Sequence, residues 1–226
     1  MHSLRREEIN FVRIKMSEIK NIAVLVSGGG TNLQALIDAQ NSGILKSGRI
    51  TAVVSSCDDA YALTRAANAG IPSYVVARKG CKKEEFNLNL RNKLDELKCD
   101  LIILAGFMCI LTDTVLKPYA NKIINVHPSL IPSFCGDGFY GLHVHEAALE
   151  KGVKVTGATV HFVNEVVDGG AIILQKAVEI IHGDTPETLQ KRVMEQAEWK
   201  ILPYAAELFC SDRLIINNNK CEIKGE

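Results

Sequence analysis

Long apolar runs, a charge imbalance and paired cysteines are all missing from this sequence, and each absence removes a class of function. No run of about 18 uncharged apolar residues occurs, which excludes a spanning helix. Formal net charge is zero, 26 Lys+Arg against 26 Asp+Glu, so no basic excess points to nucleic acid or a membrane surface. None of the seven cysteines (Cys57, Cys81, Cys99, Cys109, Cys135, Cys210 and Cys221) stands in C-x-x-C spacing, and their odd number argues against a disulfide framework as well as a zinc site. Free thiols in a reducing cytosol, and so a cytoplasmic protein, are the expectation. Residues 1–20 carry Arg5, Arg6, Glu7 and Glu8 among scattered apolar residues and lack the apolar stretch of a secretory signal. With a second Met at position 16, they read as an N-terminal extension, expected to be poorly ordered.

What is present is an ordinary globular chain of 226 residues, 47% hydrophobic, with no internal repeat, linker or low-complexity segment. Asn21 to Ser27 is a short continuous apolar run, the pattern of a strand buried on both faces of a parallel sheet. Gly28-Gly29-Gly30-Thr31-Asn32 follows, then a helical pattern through Leu33, Leu36 and Ile37. Strand, glycine loop and helix make a phosphate-binding arrangement, because glycines expose backbone N–H groups and a helix start adds partial positive charge. The loop is neither a Walker A nor a good dinucleotide fingerprint, since Leu33 stands where a third glycine would be. A tight turn with Thr31 or Asn32 as helix N-cap is the structural alternative, compatible with the first.

The alternation continues. Strands are expected over 49–55, 73–77, 100–105 and 122–126. Helices are expected from a cap at Asp58-Asp59 to about Ala69, over 82–97 with Phe86, Leu90, Leu94 and Leu97 on one face, and over 112–119. Gly106-Phe107-Met108-Cys109-Ile110-Leu111 puts large apolar side chains just past a strand end, either as a slot for a flat ligand or as packing for the next helix. Residues 133–141, with three glycines and three aromatics, form either a mobile flap over the site or an Ω-loop packed by its own rings. A helix over 143–150, strands over 153–163 and 171–180 joined by the Val166–Gly170 turn, and a long helix starting at Thr185-Pro186-Glu187 complete the chain. That helix is expected to run to about Leu208 with a disturbance at Pro203, and the tail from Leu214 is expected to add an edge strand. Together these elements predict a Rossmann-like, doubly wound α/β domain with a mostly parallel mixed sheet and an antiparallel C-terminal addition.

The candidate chemistry centres on Ile124-Asn125-Val126-His127-Pro128, the carboxyl end of an apolar strand, where open α/β sheets bind ligands. Asn125 and His127, two apart, point to one side; one is a neutral donor, the other exchanges a proton near pH 7. Asp168 lies in a glycine turn that, folded back over this strand end, would face His127 and raise the imidazole pKa. His143 and His145, spaced i, i+2 at a helix start, do not share a face as metal ligands would. His161 reads as a satisfied, partly buried histidine.

The motifs in this order resemble one family. Val26 to Gln34, Leu104 to Met108, Asn125 to Leu130, and Val160-His161-Phe162-Val163 with Asp168-Gly169-Gly170 look like those of the phosphoribosylglycinamide formyltransferases, folate-dependent enzymes of purine biosynthesis. The likeness runs from about residue 21 to 210, implying one catalytic domain with residues 211–226 as a C-terminal tail. It implies transfer of the formyl group of 10-formyltetrahydrofolate, a co-substrate, to the amine of glycinamide ribonucleotide. From charge, hydropathy and spacing, no metal and no nucleic-acid or membrane partner are expected, and the chain is expected to be a monomer or homodimer. Asn125, His127 and Asp168 would be catalytic. Gly30, Thr31 and Asn32 would hold the phosphate and Glu198 the ribose. Lys83, Met108, Cys109, Ile110, Leu111 and Asn125 would line the folate pocket. Departures fall at Cys109, where many members have Arg, and at Trp199, where His is frequent; the loop over 135–140 is longer than in some. Of two relatives sharing the Asn, His and Asp set, methionyl-tRNA formyltransferase carries a further C-terminal domain, whereas this chain stops soon after its last helix. Formyltetrahydrofolate deformylase has a domain before the first strand, where only about 20 residues stand here; it and a non-catalytic phosphoribosyl-binding module are the alternatives.

Overall fold

The computed structural model describes residues 18–225. Most of the expected extension over 1–20 lies outside the described residues, and Lys20 already opens the first strand. Seven strands form one sheet: β1 (Lys20–Val26), β2 (Gly48–Ser55), β3 (Ser73–Val75), β4 (Leu101–Leu104), β5 (Ile123–His127), β6 (Val155–Phe162) and β7 (Ile172–Glu179), in spatial order β3-β2-β1-β4-β5-β6-β7. The first five are parallel, and β6 and β7 each pair antiparallel with the strand before. The predicted doubly wound, mixed sheet is therefore the observed one.

Continuous apolar runs arise because each central strand is covered on both faces. Ile22, Val24 and Val26 face one core, shared with α1 (Thr31–Asn41), α2 (Tyr61–Asn68) and the C-terminal helices. Ala23 and Leu25 face the other, shared with α3 (Lys83–Leu97) and α4 (Asp113–Leu116), where Phe86, Leu90 and Leu94 are fully buried as their spacing predicts. The chain reverses its winding between β1 and β4, so the ligand crevice of such a sheet opens beyond the carboxyl ends of these two strands.

Several local expectations are corrected. Asp58 and Asp59 are exposed and do not cap α2; its N-cap is Ala60, with no side-chain bond. Thr185 does cap α6 (Pro186–Val193), in a capping box with Thr188. The helix then widens into a π-helical turn, Met194–Glu198, before α7 (Trp199–Cys210), which contains Pro203. Proline lacks the N–H that the carbonyl one turn earlier requires, so the disturbance appears upstream of Pro203 and not at it. The tail does not extend the central sheet. β8 (Leu214–Asn217) and β9 (Lys220–Ile223) pair only with each other, and Asn219 Nδ2 ties their turn to the Gly169 carbonyl at 3.0 Å. Among the described residues, no helix is long and apolar enough to cross a membrane.

Candidate active site

β5 delivers two side chains and stops. Its register with β6 sets Asn125 opposite His161 and His127 opposite Thr159, so these four project from the same face of the sheet. Pro128 has no N–H with which to continue the ladder, and the chain leaves the sheet one residue after His127. His127 is 4% exposed and His161 1%, which forces both rings to find partners inside the protein.

Those partners come from elsewhere in the chain. The loop after β6 folds back as the sequence reading required: Asp168 Oδ2 lies 3.4 Å from His127 Nδ1, and its Oδ1 lies 3.5 Å from His161 Nε2. Asp168 sits in the left-handed region, φ 55°, a conformation Asp tolerates better than most residues. Gly170 must be glycine, because a Cβ there would stand 1.8 Å from the Phe162 carbonyl oxygen. The loop over 133–141 reaches the same pair from the other side. His127 Nε2 donates to the Phe134 carbonyl at 2.8 Å, and the Gly136 N–H donates to Asp168 Oδ2 at 2.9 Å. The structure supports the reading of a loop packed by its own rings: Phe134 and Phe139 pack edge to face, 6.3 Å apart, while the loop's backbone contacts His127 and Asp168.

Electrostatics correct one expectation. Burial lowers the His127 pKa, and the Asp168 carboxylate and Phe134 carbonyl, although they pull the other way, do not fully offset it. Burial also works against the charge on Asp168, but contacts from His161, Gly136 and His127 outweigh it and hold the carboxyl below its ordinary range. His145, on α5 (Leu142–Lys151), is fully buried with neither ring nitrogen bonded, and burial together with His127 lowers its pKa to about 4.

At the switch point the glycine loop is held from outside. The Ala62 N–H donates to the Gly28 carbonyl at 3.0 Å, and Arg65 Nε to the Gly29 carbonyl at 2.9 Å. Gly30, at φ 70°, packs so tightly on α2 that a Cβ would meet Ala62 at 2.6 Å. Gly30 is itself the N-cap of α1 and makes no side-chain capping bond. Neither Thr31 nor Asn32 caps the helix: Thr31 Oγ1 points to Met194 Sδ at 3.7 Å, and Asn32 Nδ2 donates to Glu198 Oε2 at 2.6 Å. An α-helix start with no side-chain cap, beside two carbonyls already engaged by α2, suits an anion.

Glu198 is 6% exposed, on the π-helical turn, and burial raises its pKa to about 7 while Asn32 opposes the rise. A carboxyl raised from 4.5 to about 7 on folding holds its proton longer in the native state, so stability falls as pH rises through that window. Glu198→Gln is therefore expected to gain ~1–3 kcal/mol over the parent at pH 8 relative to pH 4.5. Thermal unfolding of both proteins at the two pH values measures this; the same difference at each pH would refute the assignment.

The residues expected around a folate pocket divide. Met108 and Ile110 are exposed, at 54% and 56%, whereas Leu111 is buried and Cys109 packs against the core of the α3 face. Lys83, Ile110, Leu111 and Glu165 are among the residues lining one cleft of about 370 Å³. The Met108 N–H donates to Ser27 Oγ at 2.9 Å, joining the loops after β1 and β4 across the crevice. A larger groove, about 540 Å³, runs between α1 and α7 past Trp199 and includes none of Asn125, His127 and Asp168.

Residues 20–206 match the formyl transferase family. The chain belongs to that family. The phosphoribosylglycinamide formyltransferase of Haemophilus influenzae is 43% identical over 209 residues, covering 92% of this chain and 95% of that protein. The crystal structure of glycinamide ribonucleotide transformylase 1 from Symbiobacterium toebii superposes with a TM-score of 0.85 at 41% identity, covering 91% of this chain and 94% of that one. A formyltetrahydrofolate deformylase from Pseudomonas syringae pv. tomato shares the fold with a TM-score of 0.83 at 27% identity, covering 92% of this chain and 66% of that one. What sequence reasoning missed in this formyltransferase is the part played by His161 and by the backbone of Phe134 and Gly136. The Val160–Val163 motif includes His161 but only the pairing of β5 with β6 shows what it faces, and no side-chain signal marks the two backbone groups.

Proposed function

We propose that this formyltransferase transfers the formyl group of 10-formyltetrahydrofolate to the amine of glycinamide ribonucleotide, giving formylglycinamide ribonucleotide and tetrahydrofolate in de novo purine biosynthesis. One observation carries the reading: Asp168, distant in sequence, folds back onto His127 at the strand end that also carries Asn125, on the sheet whose first strand leads into an uncapped glycine-loop helix. The reading assigns catalysis to one domain over 21–210, with 211–226 as a tail. Seven free thiols fit a cytoplasmic protein.

The amine nitrogen attacks the formyl carbon, and the C=O electron pair moves onto oxygen. Asn125 and the Nε2–H of His127 donate to that oxyanion, the role in which one preorganised donor is typically worth about 10²–10³ in rate. The oxyanion takes the place of the Phe134 carbonyl on Nε2. An anion there raises the imidazole pKa against burial, and Asp168 accepts from Nδ1–H of the cation. Asp168, through a water, passes the proton of the attacking amine to the departing folate nitrogen as the old C–N bond breaks. Gly30, Thr31 and Asn32 hold the phosphate, Glu198 the ribose, and Lys83, Met108, Cys109, Ile110 and Leu111 border the folate.

Purified protein mixed with 10-formyltetrahydrofolate should release tetrahydrofolate only when glycinamide ribonucleotide is present. Release without the ribonucleotide would favour a deformylase, the reading to which the Pseudomonas likeness lends some weight. Binding of phosphoribosyl ligands without any turnover would leave a non-catalytic module.

A further inference from the structure

We infer that His161 is a positioning residue that decides which end of the Asn125 amide faces the reacting oxygen. The inference rests on the proposed role of Asn125 and adds a determinant for it. His161 Nδ1 lies 2.8 Å from the Phe162 carbonyl, which can only accept, so the ring hydrogen belongs on Nδ1. In that tautomer Nε2 carries a lone pair. It lies 3.2 Å from Asn125 Nδ2, and a lone pair there can be satisfied only by an N–H. The amide is thereby held nitrogen-first, one hydrogen on His161 and the second left for a ligand.

Asp168 competes for the same atom. Its Oδ1 lies 3.5 Å from Nε2 and would favour a hydrogen on that nitrogen, the contact through which His161 would lower the Asp168 carboxyl pKa. That hydrogen would turn the amide oxygen toward His161 and remove the donor; when Nε2 is bare, Gly136 and His127 are left to hold the carboxylate. The Asn125 contact is the shorter, and the Nδ1–H ring satisfies Asn125 and Phe162 together. The other ionisable groups of this cluster are His127, bonded to Phe134 and facing the second oxygen of Asp168, Cys135, which feels the Asp168 charge, and His145, which feels His127. Register keeps the arrangement in place, because Asn125 and His161 are directly opposed on β5 and β6 and His161 is 1% exposed.

The first test needs no variant and no turnover. Nitrogen-15 NMR of the ligand-free protein labelled at histidine should show His161 protonated at Nδ1 and bare at Nε2 at neutral pH; a hydrogen on Nε2 overturns the inference. The second compares two substitutions. His161→Gln can place an amide oxygen near the Nε2 position, whereas His161→Asn reaches only the Nδ1 position. His161→Asn is expected to lose at least ~10-fold in kcat with both KM values within ~3-fold, and His161→Gln to recover most of that loss. Equal losses in the two variants, with matching thermal unfolding, would also overturn it. A parent that fails to turn over would count against the proposed function and would leave the NMR result decisive for His161.

Discussion

Asp168→Asn is expected to unfold at nearly the parent's temperature and to lower kcat at least ~10²-fold. The amide matches the carboxylate in shape, and one oxygen remains to accept the Gly136 N–H that holds the loop. What disappears is the negative charge 3.4 Å from His127 Nδ1. Burial already depresses the His127 pKa, so without Asp168 only the Phe134 carbonyl, or the oxyanion that replaces it, opposes that desolvation and the ring gains a second proton less readily as the oxyanion forms. The loss should fall on kcat and spare KM for the ribonucleotide, whose phosphate the proposed function assigns to the glycine loop. Steady-state kinetics beside a thermal unfolding curve measure it, and activity within a few-fold of the parent would take Asp168 out of the mechanism.

Gly170→Ala should do its damage through structure. The added methyl would stand 1.8 Å from the Phe162 carbonyl oxygen and 2.7 Å from its carbon, backbone atoms that cannot swing aside as a side chain would. Phe162 is tied on the same stretch by its N–H to the Ala171 carbonyl at 2.9 Å, so relief of the clash must part the ends of β6 and β7. Overpacking of this kind costs ~2–4 kcal/mol, a fall of ~5–15 °C in Tm for a domain of this size. The turn carries Asp168, so activity should fall below the parent even well under the transition. A Tm within ~2 °C of the parent would show that the backbone yields more easily than its packing implies.

Much of the architecture was legible because it is written in local periodicity. Four of the five parallel strands announce themselves as apolar runs, and α3 as a spaced apolar face, since burial on two faces or on one leaves different patterns; β3, exposed at the sheet edge, is marked only by the Gly70-Ile71-Pro72 turn before it. Thr185-Pro186-Glu187 was equally readable, because a cap is a matter of a few neighbouring residues. Asp58, Asp59, Thr31 and Asn32 misled for the converse reason. They are good capping residues by type, but their side chains point elsewhere, Asn32 to a glutamate on a distant helix. The tail fits a strand by composition, and composition does not say which strand it pairs with.

The amino-acid order alone determined a mixed, doubly wound sheet and the family motifs on its strand ends, because strand identity and helix facing follow from which positions must avoid water. The working state of the site was decided only on folding. The contact of Asp168 with two histidines, the Phe134 carbonyl on His127 and the raised carboxyl of Glu198 all depend on groups brought in from other elements. A proton's preferred position is set by what surrounds it in three dimensions, and at this strand end those surroundings come from four separate stretches of chain.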